Sequence, residues 1–303
     1  MKKPQWITII VAVLLVAAIY TLGKTTPSKK TIPLTDNQQH SEDDGHDHGN
    51  TKVSITIDTI LLMAKKQLTT DQVVRLNALE NSITRGDVKV QQLRVYHQLS
   101  HFWKDSAKIF EPYAWYEAEA ARLENSEKTL TFAARLFLEN LQNDDLEQRR
   151  QWKALQAKDL FERSLKINPD NDSAKVGLGA CYLFGNISAM PMEGIAKIRE
   201  VVEKDSTNIY AQMTLVKGTM ISGQYDKAIS RLQTVLGMQP DNIEAILLMA
   251  DMYERKGDKV KAIEWYQKSL SFIKPADIKS AIEQRILELR KYLLKSQVLV
   301  NLL

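Results

Sequence analysis

The stretch Ser222–Asn242, "SGQYDKAISRLQTVLGMQPDN", is followed by a near copy, "KGDKVKAIEWYQKSLSFIKP", at Lys256–Pro275. Aligning Gly223 with Gly257 sets the two thirty-four residues apart and makes Ile209 and Ile243 equivalent starting points. The same register matches Leu215-Val216 to Met249-Ala250, Ala228-Ile229 to Ala262-Ile263, Leu232 to Tyr266, and Val235-Leu236 to Ser269-Leu270. Apolar residues three and four apart on either side of a glycine turn predict two short amphipathic helices per copy. Pro240 closes one copy and Pro275, shifted by one residue, closes the next. A single pair cannot cover its own apolar face, so the fixed period predicts that successive pairs stack.

The pattern continues upstream. "SAKVGLGACYLFGN" supplies Leu178, Gly179 and Tyr182 for a first helix, and "EGIAKIREVVEKD" supplies Gly194, Ile198 and Val201 for its partner, after a lengthened turn near Pro191. Before it, "KALQAKDLFERSLKINPDN" reads as a second helix with Ala157, Phe161, Ser164 and a closing Pro169. Its first helix is "TLTFAARLFLENL", with Leu130, Ala133, Ala134 and Phe137, joined by a widened turn through Asn143, Asp144 and Asp145. A degenerate copy puts Leu99, Ser100 and Trp103 in a first helix and "PYAWYEAEAARL" in a second, with Pro112 in its opening turn. "ITIDTILLMAKKQL" and "TTDQVVRLNALENSITRG", the latter capped by Thr70, predict one more pair. At the other end "ADIKSAIEQRILELRKYLL" places Ile278, Ala281, Ile282 and Leu289 on one stripe, as a terminal cap needs, and "SQVLVNLL" is apolar enough to fold back on the last repeat.

This alternation resembles the tetratricopeptide repeat, in which small residues let two helices cross closely, larger ones interlock neighbouring pairs, and a proline closes each unit. The resemblance implies an all-α chain, an α-solenoid of stacked helix-turn-helix repeats. The divisions are a helical pair over 53–92, repeats over 93–274 (93–126 degenerate, 127–171, 172–208, 209–242 and 243–274), and a capping helix with apolar tail over 275–303. It also implies an inner wall made by the first helices, which in the family holds extended peptides or helices of partner proteins. The wall positions carry over as Arg135, Val176, Ala180, Tyr210, Met213, Lys217, Met220, Leu247, Asp251 and Glu254. Family members that grip a terminal carboxylate use a Lys/Asn set on these helices, and here Arg135, Ala180, Lys217 and Asp251 stand where asparagine would be. A methionine-rich wall suits several apolar partners better than one.

The rest of the chain sets limits on function. An apolar content of 44% over 303 residues suffices for a core, and an excess of only four basic residues leaves no face that argues for nucleic acid. Cys181 is the only cysteine, so an internal disulfide and a cysteine-based zinc cage are excluded. Eight prolines and twelve glycines fall between long Leu/Ala/Lys/Glu-rich segments, the composition of helices and short turns.

Pro4 to Gly23 is uncharged, includes "WITIIVAVLLVAAIYTL", and is flanked by Lys2, Lys3 and Lys24. Twenty helical residues rise about 30 Å, the thickness of a bilayer's hydrocarbon, and Trp6 and Tyr20 sit where rings favour the interface. Residues 1–24 are therefore expected to form a single N-terminal transmembrane helix. The competing reading is a secretory signal cleaved near Val16-Ala17-Ala18, which would leave a soluble secreted protein beginning near Ile19. Lysines on both flanks leave the orientation open. An anchored large domain is usually external, which favours a single-pass protein of the bacterial inner membrane with its repeats in the periplasm.

Residues 25–52 hold two prolines and few large apolar side chains, the composition of a flexible linker. Within it "HSEDDGHDHG" gathers His40, His46 and His48 among Glu42, Asp43, Asp44 and Asp47, a set able to hold zinc, copper or nickel weakly. His97 and His101, four apart, have metal-site spacing but no accompanying glutamate, and read as ordinary helix histidines. The sequence contains no phosphate loop, nucleophile elbow or predicted strand. It therefore points to a non-enzymatic membrane-anchored scaffold with protein partners, no cofactor and no small-molecule substrate. The alternative is a metal-handling envelope protein that uses the linker histidines.

Overall fold

The computed structural model describes residues 55–83, 89–142, 144–187 and 191–300, and among these no strand occurs. The segment expected to anchor the chain, the linker and its histidines lie outside the described residues. Among those described, no helix is long and apolar enough to cross a membrane.

The chain opens with α1 (Ile57–Lys65), α2 (Thr70–Ile83) and α3 (Lys89–His101), which continues into a π-helical turn at Phe102–Ala107. Five further pairs of elements complete it. They are α4 (Phe110–Glu124) and α5 (Glu127–Leu141), α6 (Glu147–Ile167) and α7 (Asp172–Phe184), α8 (Pro191–Lys204) and α9 (Ile209–Ile221), α10 (Tyr225–Met238) and α11 (Ile243–Arg255), and α12 (Lys259–Leu270) and α13 (Ala276–Val300). Helices α3/α4, α5/α6, α7/α8, α9/α10 and α11/α12 pack as hairpins, and the first helices touch in turn, α5 on α7 and α7 on α9. The result is an α-solenoid.

Three of the hairpins open at an asparagine-capped first helix. Asn171, Asn208 and Asn242 accept the N–H groups of Ala174, Ala211 and Ala245 at 2.9, 3.0 and 3.0 Å, satisfying one orphan donor at the start of α7, α9 and α11. The turn inside the hairpin then needs a left-handed residue. Gly223 and Gly257 take it, at φ +68° and +86°, which explains why glycine anchors the repeated phrase.

Helices α7 and α8 cross closely. A Cβ added to Gly179 would lie 2.6 Å from the Gly194 carbonyl oxygen, and one added to Gly194 would lie 2.4 Å from that of Gly179. Ala228 and Ala262 hold the place of Gly194 in the next two hairpins and are fully buried. Between hairpins the larger side chains interlock. Phe137, Leu160, Phe161 and Leu178 share one cluster, Val176, Ile198, Val201 and Leu215 a second, and Leu232, Val235, Ile246 and Met249 a third. Cys181 is wholly buried in the first, and burial pushes its thiol well above the ordinary range, so it is a core residue.

Three local readings change. Helix α2 is capped by Thr69, not Thr70. Thr69 Oγ1 accepts the Gln72 N–H at 3.4 Å while Gln72 Oε1 accepts the Thr69 N–H at 3.0 Å, a reciprocal box that a Thr-Thr pair conceals. Helix α6 begins at Glu147, well before the repeat pattern does. On α13 the buried stripe is Ile282, Ile286 and Leu289, whereas Ile278 and Ala281 are exposed.

The early start of α6 brings a buried charge cluster into the solenoid. Lys153, 1% exposed, donates to Asp144 Oδ2 at 2.7 Å and Asn140 Oδ1 at 2.6 Å, and its Nζ lies 2.8 Å from Glu111 Oε1. Arg149 also donates to Asp144. Burial would raise the Asp144 carboxyl, but the hydrogen bonds from Arg149, Lys153 and the Leu146 N–H outweigh it and hold it at about 2. This cluster ties α4, α5 and α6 together.

Candidate functional site

The first helices α5, α7, α9 and α11 line an open cleft along their last turns. Its larger part encloses about 470 Å3 between Leu141 and Gln142 at the end of α5, Leu183 and Phe184 on α7, Lys217, Met220 and Ile221 on α9, and Leu248 and Arg255 on α11. Arg150, from the first turn of α6, completes this wall. A contiguous part of about 190 Å3 shares Gln142, Phe184 and Lys217 and adds Arg135, Leu138, Glu139, Ala180, Tyr210 and Thr214.

The periodicity explains which side chains meet here. Phe184, Ile221 and Arg255 are the final residues of three successive first helices, separated by thirty-seven and thirty-four residues. The interior of a hairpin has no place for a side chain at that position, so each projects into the cleft. Ile221 is 71% exposed, an apolar residue left in water by a fold that buries its neighbours Leu215 and Val216.

Of the ten expected wall residues, Arg135, Ala180, Tyr210, Lys217 and Met220 line the cleft. The Arg135 guanidinium lies 5.6 Å from the centre of the Tyr210 ring and bonds Glu139 at 3.1 Å. Burial pushes the Tyr210 hydroxyl up to about 12. Lys217 pairs with Glu244 at 2.8 Å across the boundary between α9 and α11.

The other five are placed differently. Val176 is fully buried against Ile198 and Ala211, and Met213 is buried with Leu232 and Val235. Leu247 packs on the cluster of Ile263, Ile282 and Ile286. Glu254 is engaged by Arg285 of α13 and by the Tyr266 hydroxyl at 3.2 Å, and the Arg285 hydrogen bond holds its carboxyl below the usual range. Asp251 accepts from Arg255 at 2.8 Å, which orients that guanidinium at the cleft.

On α11 the residues that line the cleft are therefore Leu248 and Arg255, rather than Leu247, Asp251 and Glu254. The sequence signal overlooked was the last helical residue of each first helix, together with Arg150 beyond the widened turn. His97 lies 3.9 Å from Glu124 and His101 3.3 Å from Asp105, and among the described residues no group of metal-ligating side chains converges.

Stacked hairpins with capped first helices, a glycine turn and a cleft along the inner helices define a helical-repeat solenoid. A family profile described as "Tetratricopeptide repeat" matches residues 220–281. Residues 220–281 therefore carry tetratricopeptide repeat sequence, and the hairpins before them continue the same helix-turn-helix design. Among solved structures the chain is similar to a tetratricopeptide repeat protein from Parabacteroides merdae, at 15% identity and a TM-score of 0.52, covering 78% of this chain and 85% of that one. It is also similar to MamA from Desulfovibrio magneticus, at 23% identity and a TM-score of 0.42, covering 62% and 96%. A third is YrrB, described as a TPR protein with an unusual peptide-binding site, at 16% identity and a TM-score of 0.41, covering 69% and 99%. No curated protein matches the sequence.

Proposed function

We propose that this chain is a membrane-anchored scaffold that captures a segment of a partner protein, an extended peptide or a helix, in the cleft along α5, α7, α9 and α11. Residues 4–23 hold it in a bacterial inner membrane, residues 25–52 tether it, and the repeats face the periplasm. The role is binding, and no reaction is assigned to it.

One observation carries the binding role: successive first helices end in side chains that the fold leaves unburied and aligned along one cleft, with Ile221 at its centre. An apolar side chain exposed at 71% adds little to the packing of the solenoid and is available for a partner. The uncharged, bilayer-length segment at the N-terminus supports the anchor.

The test uses the full chain purified with its partners from unwashed membranes, while in a separate sample the chain itself is expected to stay with the membrane after an alkali wash. Ile221→Asp places an unpaired charge in the cleft and is expected to reduce partner recovery roughly tenfold or more, since an uncompensated charge at an interface costs a few kcal/mol. Because Ile221 is exposed, its melting temperature should move little. Undiminished recovery with this variant would remove the cleft as the docking surface.

A further inference from the structure

The larger part of the cleft carries three cations, and they are not equivalent. Lys217 is neutralised by Glu244 at 2.8 Å and Arg255 by Asp251 at 2.8 Å. Arg150 lines the same cleft, and among the described residues no carboxylate or hydrogen-bond acceptor engages its guanidinium. Its neighbours in chain order are committed elsewhere, Arg149 to Asp144 and Glu147 to Gln151 and Asn186. An arginine in a cleft with its five donors unspent is a fork awaiting a planar acceptor.

From this we infer that the cleft selects a partner segment bearing an aspartate or glutamate flanked by aliphatic or aromatic residues, with its carboxylate paired to Arg150. The inference rests on the binding role proposed above and specifies its occupant. Charge complementarity sets the acid, and the apolar surface of Leu183, Met220, Ile221 and Leu248 sets its flanks. A small inorganic anion does not fit this wall. It could pair with Arg150 but would gain nothing from the apolar side chains beside it. A basic segment would meet the unpaired Arg150 and be repelled.

The probe is a phage-displayed library of random peptides selected on the immobilised full chain, followed by titration of the best synthetic peptide. Selected sequences are expected to share an acidic residue between apolar ones. Arg150→Gln should weaken binding about tenfold, as loss of a partly desolvated charge-assisted pair requires. Exchanging the peptide's acid for its amide should weaken it equally, and combining the two changes should add little further loss, which a merely structural role for Arg150 would not produce. Selection of neutral apolar peptides that are lost with Ile221→Asp but indifferent to Arg150→Gln overturns this inference and leaves the binding cleft standing. Selection of no peptide, or of peptides indifferent to both variants, overturns the two together.

Discussion

Gly179→Val is expected to destabilise the solenoid by about 3 kcal/mol, because overpacking at a helix crossing usually costs 1–3 kcal/mol and here the obstacle is main chain. Its Cβ would meet the Gly194 carbonyl oxygen and Ile198 Cγ1, each at 2.6 Å, and neither backbone can withdraw without separating α7 from α8. Across a domain of this size the loss lowers the melting temperature by on the order of 10 °C. Gly237→Ala is the control. It lies in α10 with nothing within 4 Å of an added Cβ, so it should be neutral or gain up to about 1 kcal/mol of helix propensity. Thermal and urea melts followed by circular dichroism measure both. Equal midpoints for the two variants would show that the crossing is not closely packed. Since α7 presents Leu183 and Phe184 to the cleft, the damaged hairpin should also lose partner binding.

The second large effect is expected at Lys153. Lys153→Ala leaves Asp144 and Glu111 facing one another in the interior with only Arg149 to compensate, and breaking a buried pair of this kind costs about 3–5 kcal/mol. The cluster also gives the stability a pH dependence of known sign. The folded Asp144 carboxyl is depressed to about 2 from an ordinary 3.8, so its stabilisation is fully present above about pH 4 and is lost as pH falls through 2. The shift sets an upper bound of about 2 kcal/mol, smaller where water screens the pair. Asp144→Asn should therefore show a flatter stability profile between pH 4 and 2 than the native chain. A native profile that is already flat there contradicts the assignment.

The sequence made the solenoid legible wherever a helix packs on its own hairpin partner. Gly223 and Gly257 fix the turn, Ala228 and Ala262 the crossing, and Ile209 and Ile243 the first residues of α9 and α11. Those positions are set by local geometry that repeats along the chain. The cleft was only half legible because it is made by side chains that neighbouring hairpins leave over. A rotation of one residue on α11 turns Leu247 toward α13 and brings Leu248 to the cleft. Met213, which a wall position suggested, is instead a plug between α9 and the next hairpin. The buried cluster around Lys153 escaped for a similar reason, since Lys153 looks like one more solvated lysine until Asp144 and Glu111 are brought to it from other elements.

The central claim is that partner protein lies against the last turns of the first helices. Site-specific photo-crosslinking in intact cells tests it most directly, with the crosslinking residue in place of Ile221 in one strain and of Thr234, exposed on the second helix α10, in another. A partner protein joined to the chain from position 221 and absent from position 234 is the predicted result. Crosslinks from 234 with none from 221 would contradict it.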